Sequence, residues 1–440
     1  MKLSFLLPSF LLILPFTDSE GQTVYNLNNC IRIGLEKNFS ILIARKSENI
    51  SDNNFTPGNA GYLPSLDLSG SYSGVSNTTV RNNTDGTRDK TSGNLTTTTY
   101  AGLNLGWTLF NGFNVRTTYK KLAELKEVGA LNTQLAVENL VSDIVIGYYA
   151  YIQQVQKLKN LEYAVTLSKE RLRIDEERYL LGSSSKLQVL QSRVYLNTDS
   201  SNLAKQLEVV RAAQVNLNEL MAVDDLAMAF ISKDTSIAVN PDLLYEKLLD
   251  QTLAHNTSLN IAARNKTISE YDYKIIASRS YPYLDFSTGY NYNLYDYSQG
   301  AMKNQSVGGM SYGLTLGINL FDGLNQRRNL RNSELAIQNQ NLQYQKLEQS
   351  TKADLITIYI GYSNSLKLIR LEEQNLMTAG ENLEIALERY KLGSLSGIDL
   401  REVQKSYLDA KDRLLLVESQ AKLAEISLQL ISGSIMDYYK

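Results

Sequence analysis

The sequence repeats itself, and no other feature limits the fold as much. Gly102-Leu-Asn-Leu-Gly-Trp-Thr-Leu-Phe-Asn-Gly112 recurs as Gly313-Leu-Thr-Leu-Gly-Ile-Asn-Leu-Phe-Asp-Gly323, 211 residues on. Arg178-Tyr179-Leu-Leu-Gly182-Ser183 returns as Arg389-Tyr390-Lys-Leu-Gly393-Ser394 at the same offset of 211. Upstream, Leu63-Pro64-Ser-Leu66-Asp67-Leu68 returns as Tyr281-Pro282-Tyr-Leu284-Asp285-Phe286, and Leu35-Glu-Lys-Asn38 as Leu253-Ala-His-Asn256, both 218 residues on. The difference of seven residues falls between Pro282 and Gly313, a natural place for a variable loop tip. A chain built this way folds as two copies of one supersecondary unit.

Each copy reads helix, two strands, very long helix, turn, helix. The strands show a period of two. In 284–294, Leu284, Phe286, Tyr290, Tyr292 and Leu294 alternate with Asp285, Ser287, Gly289, Asn291 and Asn293. Tyr312, Leu314, Leu316, Ile318 and Leu320 alternate with Gly313, Thr315, Gly317 and Asn319. Leu103, Leu105, Trp107 and Leu109 alternate with Asn104, Gly106 and Thr108. One face is apolar and the other small and polar, which fits a membrane barrel with a wet interior; a single such segment would also suit a soluble sandwich, but four in two duplicated hairpins behind a signal peptide favour the barrel. On the polar face, Asp67 and Asp285 are candidates to line a lumen. The stretches 81–99 and 296–310, rich in Asn, Thr, Gly and Ser, read as exposed loops. Beyond the strands come about 65 residues without Pro, apolar at three-to-four spacing, predicting a helix roughly 100 Å long. Pro64 and Pro282 stand where helix gives way to strand.

The rest of the composition excludes more than it suggests. The chain has 440 residues and a net charge of -2, without the basic excess of a nucleic-acid surface. One Cys rules out an internal disulfide or a cysteine-cluster metal site. With His255 the only His, a His-based catalytic relay is not expected, and His255 itself reads as structural. Neither a Walker-type phosphate loop nor a metal or cofactor site is recognisable, so the chain reads as a non-enzyme. Lys2 followed by the apolar run Leu3–Phe16 predicts a signal peptide over 1–21, cleaved after Gly21. Cys30 lacks the small pair that a lipid-anchor site wants before it, and reads as a lone reduced or buried thiol. No later run reaches 18 consecutive apolar residues, so a membrane-inserted form would have to be a barrel.

The predicted layout is a signal peptide (1–21), a first repeat (22–222), an inter-repeat segment (223–240), a second repeat (241–433) and a tail (434–440). The first repeat has strands at about 63–80 and 100–111 and a tip turn at 180–185. The second has strands at about 282–296 and 311–322 and a tip turn at 391–397. Lys120, Lys121, Arg327 and Arg328 follow the second strand of each pair, at a membrane face or simply at a solvated helix start.

The order of these parts, the duplicated G-x-x-x-G-x-x-x-F-[ND]-G strand ends and the duplicated R-Y-x-x-G-S turns resemble the TolC family of outer-membrane efflux proteins, over about residues 24–433. The resemblance implies a mainly α protein with membrane β-strands. It implies a homotrimer in which each chain gives four strands to a shared 12-stranded β-barrel, continued by an α-helical periplasmic tunnel. It implies outer-membrane lipid around the barrel, against which Trp107, Tyr290, Tyr292 and Tyr312 would lie. It implies a periplasmic adaptor (membrane fusion protein) touching the tips at Arg178, Tyr179, Gly182, Arg389 and Gly393, and an inner-membrane pump of RND, ABC or MFS type. Asp399, Glu402 and Tyr390 fall on the family's periplasmic aperture or gate. Asp399 and Glu402 share a helix face and would form a cation-favouring ring of six carboxylates in a trimer. Their first-repeat equivalents are Gln188 and Gln191, and the same two residues also suit a helix N-terminus. The family's basic residue at the gate is replaced here by Leu395. The competing reading is a secreted coiled-coil spacer or adaptor of the envelope, without a pore. The substrate, whether drug, metal ion or polypeptide, is not legible.

Overall fold

The computed structural model describes residues 23–300 and 302–439. The expected signal peptide lies outside these. In chain order the elements are β1 (Thr23–Tyr25), α1 (Leu27–Lys37), α2 (Phe39–Asn54), α3 (Pro57–Ala60), β2 (Ser65–Asn82), β3 (Arg88–Asn111), α4 (Asn114–Leu180) and α5 (Lys186–Met221). There follow β4 (Phe230–Ser232), α6 (Tyr245–His255), α7 (Thr257–Ser278), β5 (Tyr283–Tyr297), β6 (Asn304–Gly317), α8 (Asn325–Lys391), α9 (Gly397–Ile431) and a 3-10 turn, Ile435–Tyr439.

β2, β3, β5 and β6 form one antiparallel sheet in that order. The register brings Trp107 opposite Phe286, Leu103 opposite Tyr290 and Ala101 opposite Tyr292. Tyr312 lies opposite Thr288 and Leu314 opposite Phe286. These side chains therefore share one face. The other face is polar: Tyr100 OH donates to Asn291 Oδ1 at 2.8 Å, and Thr108 Oγ1 to Asp285 Oδ1 at 2.8 Å. Opposite Asn104, Asp67 is on this same face.

Two loops expected from composition are instead largely strand. β3 begins at Arg88, not near 100, because the Thr96–Thr99 run is β-branched and finds β2 beside it. Only 83–87 turns, at Asp85-Gly86: Gly86 has φ 85° and Asp85 Oδ1 accepts from Thr87 N at 2.9 Å. β6 begins at Asn304 rather than 311, leaving a short turn after Tyr297. It also stops at Gly317 rather than 322, opposite the first residue of β5. Beyond Gly317 no strand among the described residues lies alongside, and Leu320 and Phe321 stand 89% and 78% exposed.

α4 and α8 each run 67 residues, about 100 Å at 1.5 Å per residue. Both begin with two successive left-handed residues, Gly112-Phe113 and Gly323-Leu324. The N-cap residues Phe113 and Leu324 offer no side-chain acceptor, and the Asn or Asp two residues earlier serves the first turn instead: Asn111 Oδ1 accepts from Val115 N at 3.2 Å, and Asp322 Oδ2 from Gln326 N at 2.7 Å.

The shorter helices stack end on end along the long ones. Asn38 Nδ2 donates to Leu220 O at 2.9 Å, joining the end of α5 to the start of α2. Asn256 Nδ2 donates to Ile431 O at 2.9 Å, joining α9 to α7. Here α4 meets α1, α5 and the inter-repeat segment, burying Leu140, Ile144, Tyr148, Ile152, Leu217 and Phe230 in the main core. α4 contains a stretch apolar enough to cross a membrane, but 56% of it is buried inside the protein. Cys30 is fully buried in this core, and burial pushes its thiol up to about 12.

The inter-repeat segment carries β4, which pairs in parallel with β1. Over 434–439 the tail is packed against the fold. Ile435 is buried, and Tyr438 OH donates to Glu425 at 2.8 Å. His255 ends α6, with its carbonyl against Gly433.

Candidate functional site

The two tips lie about 100 Å of helix away from the sheet. Each long helix ends in the same way. Gly182 and Gly393 are left-handed at φ 73° and 82°. Gly182 N donates to Tyr179 O at 3.0 Å and Ser183 N to Arg178 O at 2.8 Å. Gly393 N donates to Tyr390 O and Ser394 N to Arg389 O, both at 3.0 Å. This is the Schellman closure that glycine permits without a Cβ penalty. Ser185 and Ser396 then cap the return helices by accepting from Gln188 N and Asp399 N. The turns are thus 181–185 and 392–396, slightly tighter than expected.

The repeat is kept in the backbone and broken in the side chains. Tyr390 is 0% exposed, and its OH donates to Asp175 Oδ1 on α4. Asp175, 1% exposed, also accepts from Ser192 of α5. Its neighbour Arg171 is equally hidden, with Nε 4.0 Å from Asp175 Oδ2 and its guanidinium 4.7 Å from the Tyr195 ring. Burial, reinforced by the Asp175 carboxylate, pushes the Tyr390 phenol up to about 12. Arg178 reaches across to donate to the Tyr390 carbonyl, with its charge 4.9 Å from that ring. Its counterpart Arg389 bends back onto its own turn, Nη2 to Ser394 O at 3.4 Å. One turn deeper, Arg401 of α9 grips Asp199 of α5 with two bonds of 2.8 Å, and Ser168 of α4 joins the same carboxylate.

Asp399 and Glu402 are exposed on the outer side of α9. Ser396 Oγ donates to Asp399 Oδ2 at 2.7 Å, so Asp399 does take part in the helix cap. Tyr390 does not share a surface with them; it lies in the small core of Ile174, Ala386 and Leu400. Among the tip residues, Tyr179 is exposed, and so are Leu180, Leu181, Leu187 and Leu392 around it. Arg178 is engaged within the chain rather than free at the surface.

Sequence reading missed Arg171, Asp175, Asp199 and Arg401. A signal was present. At an offset of 211 they correspond to Asn382, Ala386, Ala410 and Leu190, so three of the four charges stand where the other copy is small or apolar.

Trp107, Tyr290, Tyr292 and Tyr312 share the apolar sheet face, and the Trp107 indole donates to Tyr62 O at 3.0 Å. Lys121 pairs with Asp272 of α7 at 2.5 Å, which ties the start of α4 to its neighbour. No cluster of metal-binding side chains occurs among the described residues.

A family model described as "Outer membrane efflux protein" matches residues 31–223 and 248–434, one stretch per repeat. The chain is 28% identical over 170 residues to the outer membrane protein TolC of Vibrio cholerae, covering 38% of this chain and 37% of that protein. It is 24% identical over 219 residues to the outer membrane efflux protein BepC of Brucella suis, covering 49% and 47%. The matched stretches thus span less than half the length of these curated relatives. The CmeC outer membrane channel of Campylobacter jejuni superposes with a TM-score of 0.77 over 93% of this chain and 85% of that one, at 17% identity. That identity shows the fold alone, a strand sheet feeding a helical tunnel. The pore-less spacer finds no support among these relatives.

Proposed function

Because the chain belongs to the outer membrane efflux protein family and so to the outer membrane, we propose that it is the passive exit duct of a tripartite efflux or type I secretion system. Substrates would come from an inner-membrane pump through a periplasmic adaptor and leave to the exterior, with no chemistry done by the duct. The observation that carries this reading is the four-stranded sheet. It has an apolar face, two open edges at β2 and β6, and a direct continuation into helices about 100 Å long.

An open sheet with such a face is not stable alone in lipid, because its edge N–H and C=O groups have no partner there. Three copies closing edge to edge give twelve strands and remove every edge. On the apolar face of β5 the positions from Leu284 to Leu294 cover eleven residues, the 9–11 that a tilted strand needs to span hydrocarbon. The Asn- and Thr-rich end of the β2–β3 hairpin would project beyond the lipid. Trp107, Tyr290, Tyr292 and Tyr312 would meet lipid.

The flanks of the helical layer carry the same message. α2 exposes Phe39, Ile43 and Ile50, and α5 exposes Leu187, Leu190 and Val194. On the opposite flank, α8 exposes Leu335, Leu342, Ile360 and Met377. Two different apolar flanks on one chain suit head-to-tail closure into a ring. At the tips, Tyr179, Gly182 and Gly393 with the exposed leucines would receive the adaptor, and Asp399 and Glu402 would ring the narrowest point.

Single-channel recording in a planar bilayer tests the duct. Small, steady, cation-preferring steps from purified trimer are expected. Folded, helical protein that never conducts would overturn it. Asp399→Asn with Glu402→Gln should lower the cation preference and relieve block by multivalent cations; an unchanged reversal potential would remove the gate assignment.

A further inference from the structure

We infer that Arg401 and Asp199 are a positioning pair for the constriction: their bond sets the rotation of α9 about its axis, and so aims Asp399 and Glu402 away from the bundle. The inference rests on the reading of those two carboxylates as the narrow point.

The helix geometry carries the argument. Successive residues turn by about 100°, so Gly397, Leu400, Arg401 and Gln404 lie within one arc of about 100°. Asp399 and Glu402 centre on the opposite side, about 180° away. Gly397, Leu400 and Gln404 are buried, and both acids are exposed. The direction of the acids is therefore set by whatever holds the inner arc in place.

Apolar packing holds that arc through a single large side chain, Leu400, buried with Ile174, Ala386 and Tyr390. Gly397 has no side chain, and Leu400 is the one large apolar residue of the four. Gln404 is 1% exposed, yet neither of its side-chain polar atoms has a hydrogen-bond partner. Arg401 supplies what the packing lacks. Its two terminal nitrogens each meet one oxygen of Asp199 at 2.8 Å, a planar fork that tolerates little rotation. Asp199 is 5% exposed and is held in turn by Ser168. Tyr195 lies beneath, 5.0 Å from the Arg401 charge and 4.7 Å from that of Arg171. One carboxylate thus ties α9 to both α4 and α5.

With Asp199 buried and Arg401 22% exposed, a largely desolvated pair of this kind is weakly justified by stability, since apolar residues of similar volume often serve as well; fixing an orientation is its better-attested use. The pair is also absent from the other repeat, where Leu190 and Ala410 stand at the equivalent positions. The acids are absent there too, replaced by Gln188 and Gln191.

The test is the reversal potential of the trimeric channel in a KCl gradient. Asp199→Leu with Arg401→Met removes one charge of each sign and keeps apolar volume in the seam. Pure electrostatics leaves the cation preference of this double variant unchanged. Loss of positioning should lower it at least two-fold, towards the value of Asp399→Asn with Glu402→Gln. Exchange of the pair, Asp199→Arg with Arg401→Asp, should restore it. If the apolar double variant keeps the wild-type potential while the Asp399 and Glu402 variant loses it, the positioning role is wrong and the gate reading stands. If the Asp399 and Glu402 variant is itself silent, both fall. Should the apolar double variant fail to insert, Arg401→Met alone decides. It removes a positive charge, so a fall in cation preference supports positioning and a rise overturns it.

Discussion

At Tyr390 a phenol with no exposure donates to a carboxylate almost as hidden. Removing the hydroxyl leaves Asp175 short of a donor, which costs about 1–3 kcal/mol. The phenol's pKa in the folded protein, about 12, lies above the ordinary 10. A group whose folded pKa is raised contributes fully below the unfolded value and loses its contribution as pH climbs through the folded one. The gap in melting temperature between wild type and Tyr390→Phe should therefore be constant to about pH 10 and close towards about pH 12. A gap indifferent to pH would mean that the hydroxyl is not bound as described. The presence of a Tyr in both R-Y-x-x-G-S turns was legible in the sequence. Its partner was not, because Asp175 is 215 residues away. The same holds for Asn38 and Asn256, visible as a repeated letter but understood only once each is seen joining two helices.

At the scale of elements, the F-[ND]-G motif is where strand becomes helix. Gly112 and Gly323 adopt φ 65° and 70°, and Phe113 and Leu324 follow at 68° and 64° despite their side chains. A left-handed non-glycine residue costs about 1–2 kcal/mol, so the turn must be held by its surroundings. The side-chain acceptor of Asn111 or Asp322 is part of that hold. Asp322→Ala should cost more than Asn111→Ala: its bond is shorter, and its charge sits at a helix N-terminus. About 1 kcal/mol is expected for the asparagine and up to about 2 for the aspartate. Amide exchange in the first turns of α4 and α8 would measure both, and equal protection loss would contradict the charge argument. Strand limits were the least legible feature at this scale. Thr-rich and Asn-rich stretches read as loop by composition, whereas a neighbouring strand that satisfies their backbone makes them β.

For the whole molecule, the difference between equivalent glycines is informative. A Cβ on Gly112 would run into Ser278 O and come within 2.8 Å of Tyr281 Cβ. A Cβ on Gly323 would meet nothing nearer than Asn325 Nδ2 at 3.7 Å. If three chains close as proposed, the space beside Gly323 belongs to the next chain, as the space beside Gly112 belongs to α7. On the same β6 edge, Leu320→Asn with Phe321→Asn, at side chains 89% and 78% exposed in the single chain, should then leave the helical content intact and reduce the heat-modifiable trimer severalfold on gels. Normal trimer from that variant would argue against closure through the β6 edge. The surfaces such a closure would use lie on the flanks of the chain: the unpaired run 318–321 and the exposed stripes of α2, α5 and α8.

The sequence by itself determined the duplication, the alternation of each strand, the length of the helices and the glycine at each tip. These are local properties: a period of two or of 3.6, a missing Cβ, a missing proline. Only the tertiary structure decided that β3 starts at Arg88 and β6 stops at Gly317, since a strand ends where its neighbour ends. It alone decided that Arg178 and Arg389, equal in sequence, face different tasks. It alone brought Arg401 to Asp199. Two copies of a motif on one chain have different neighbours, and a buried charge is fixed by the neighbour that can neutralise it.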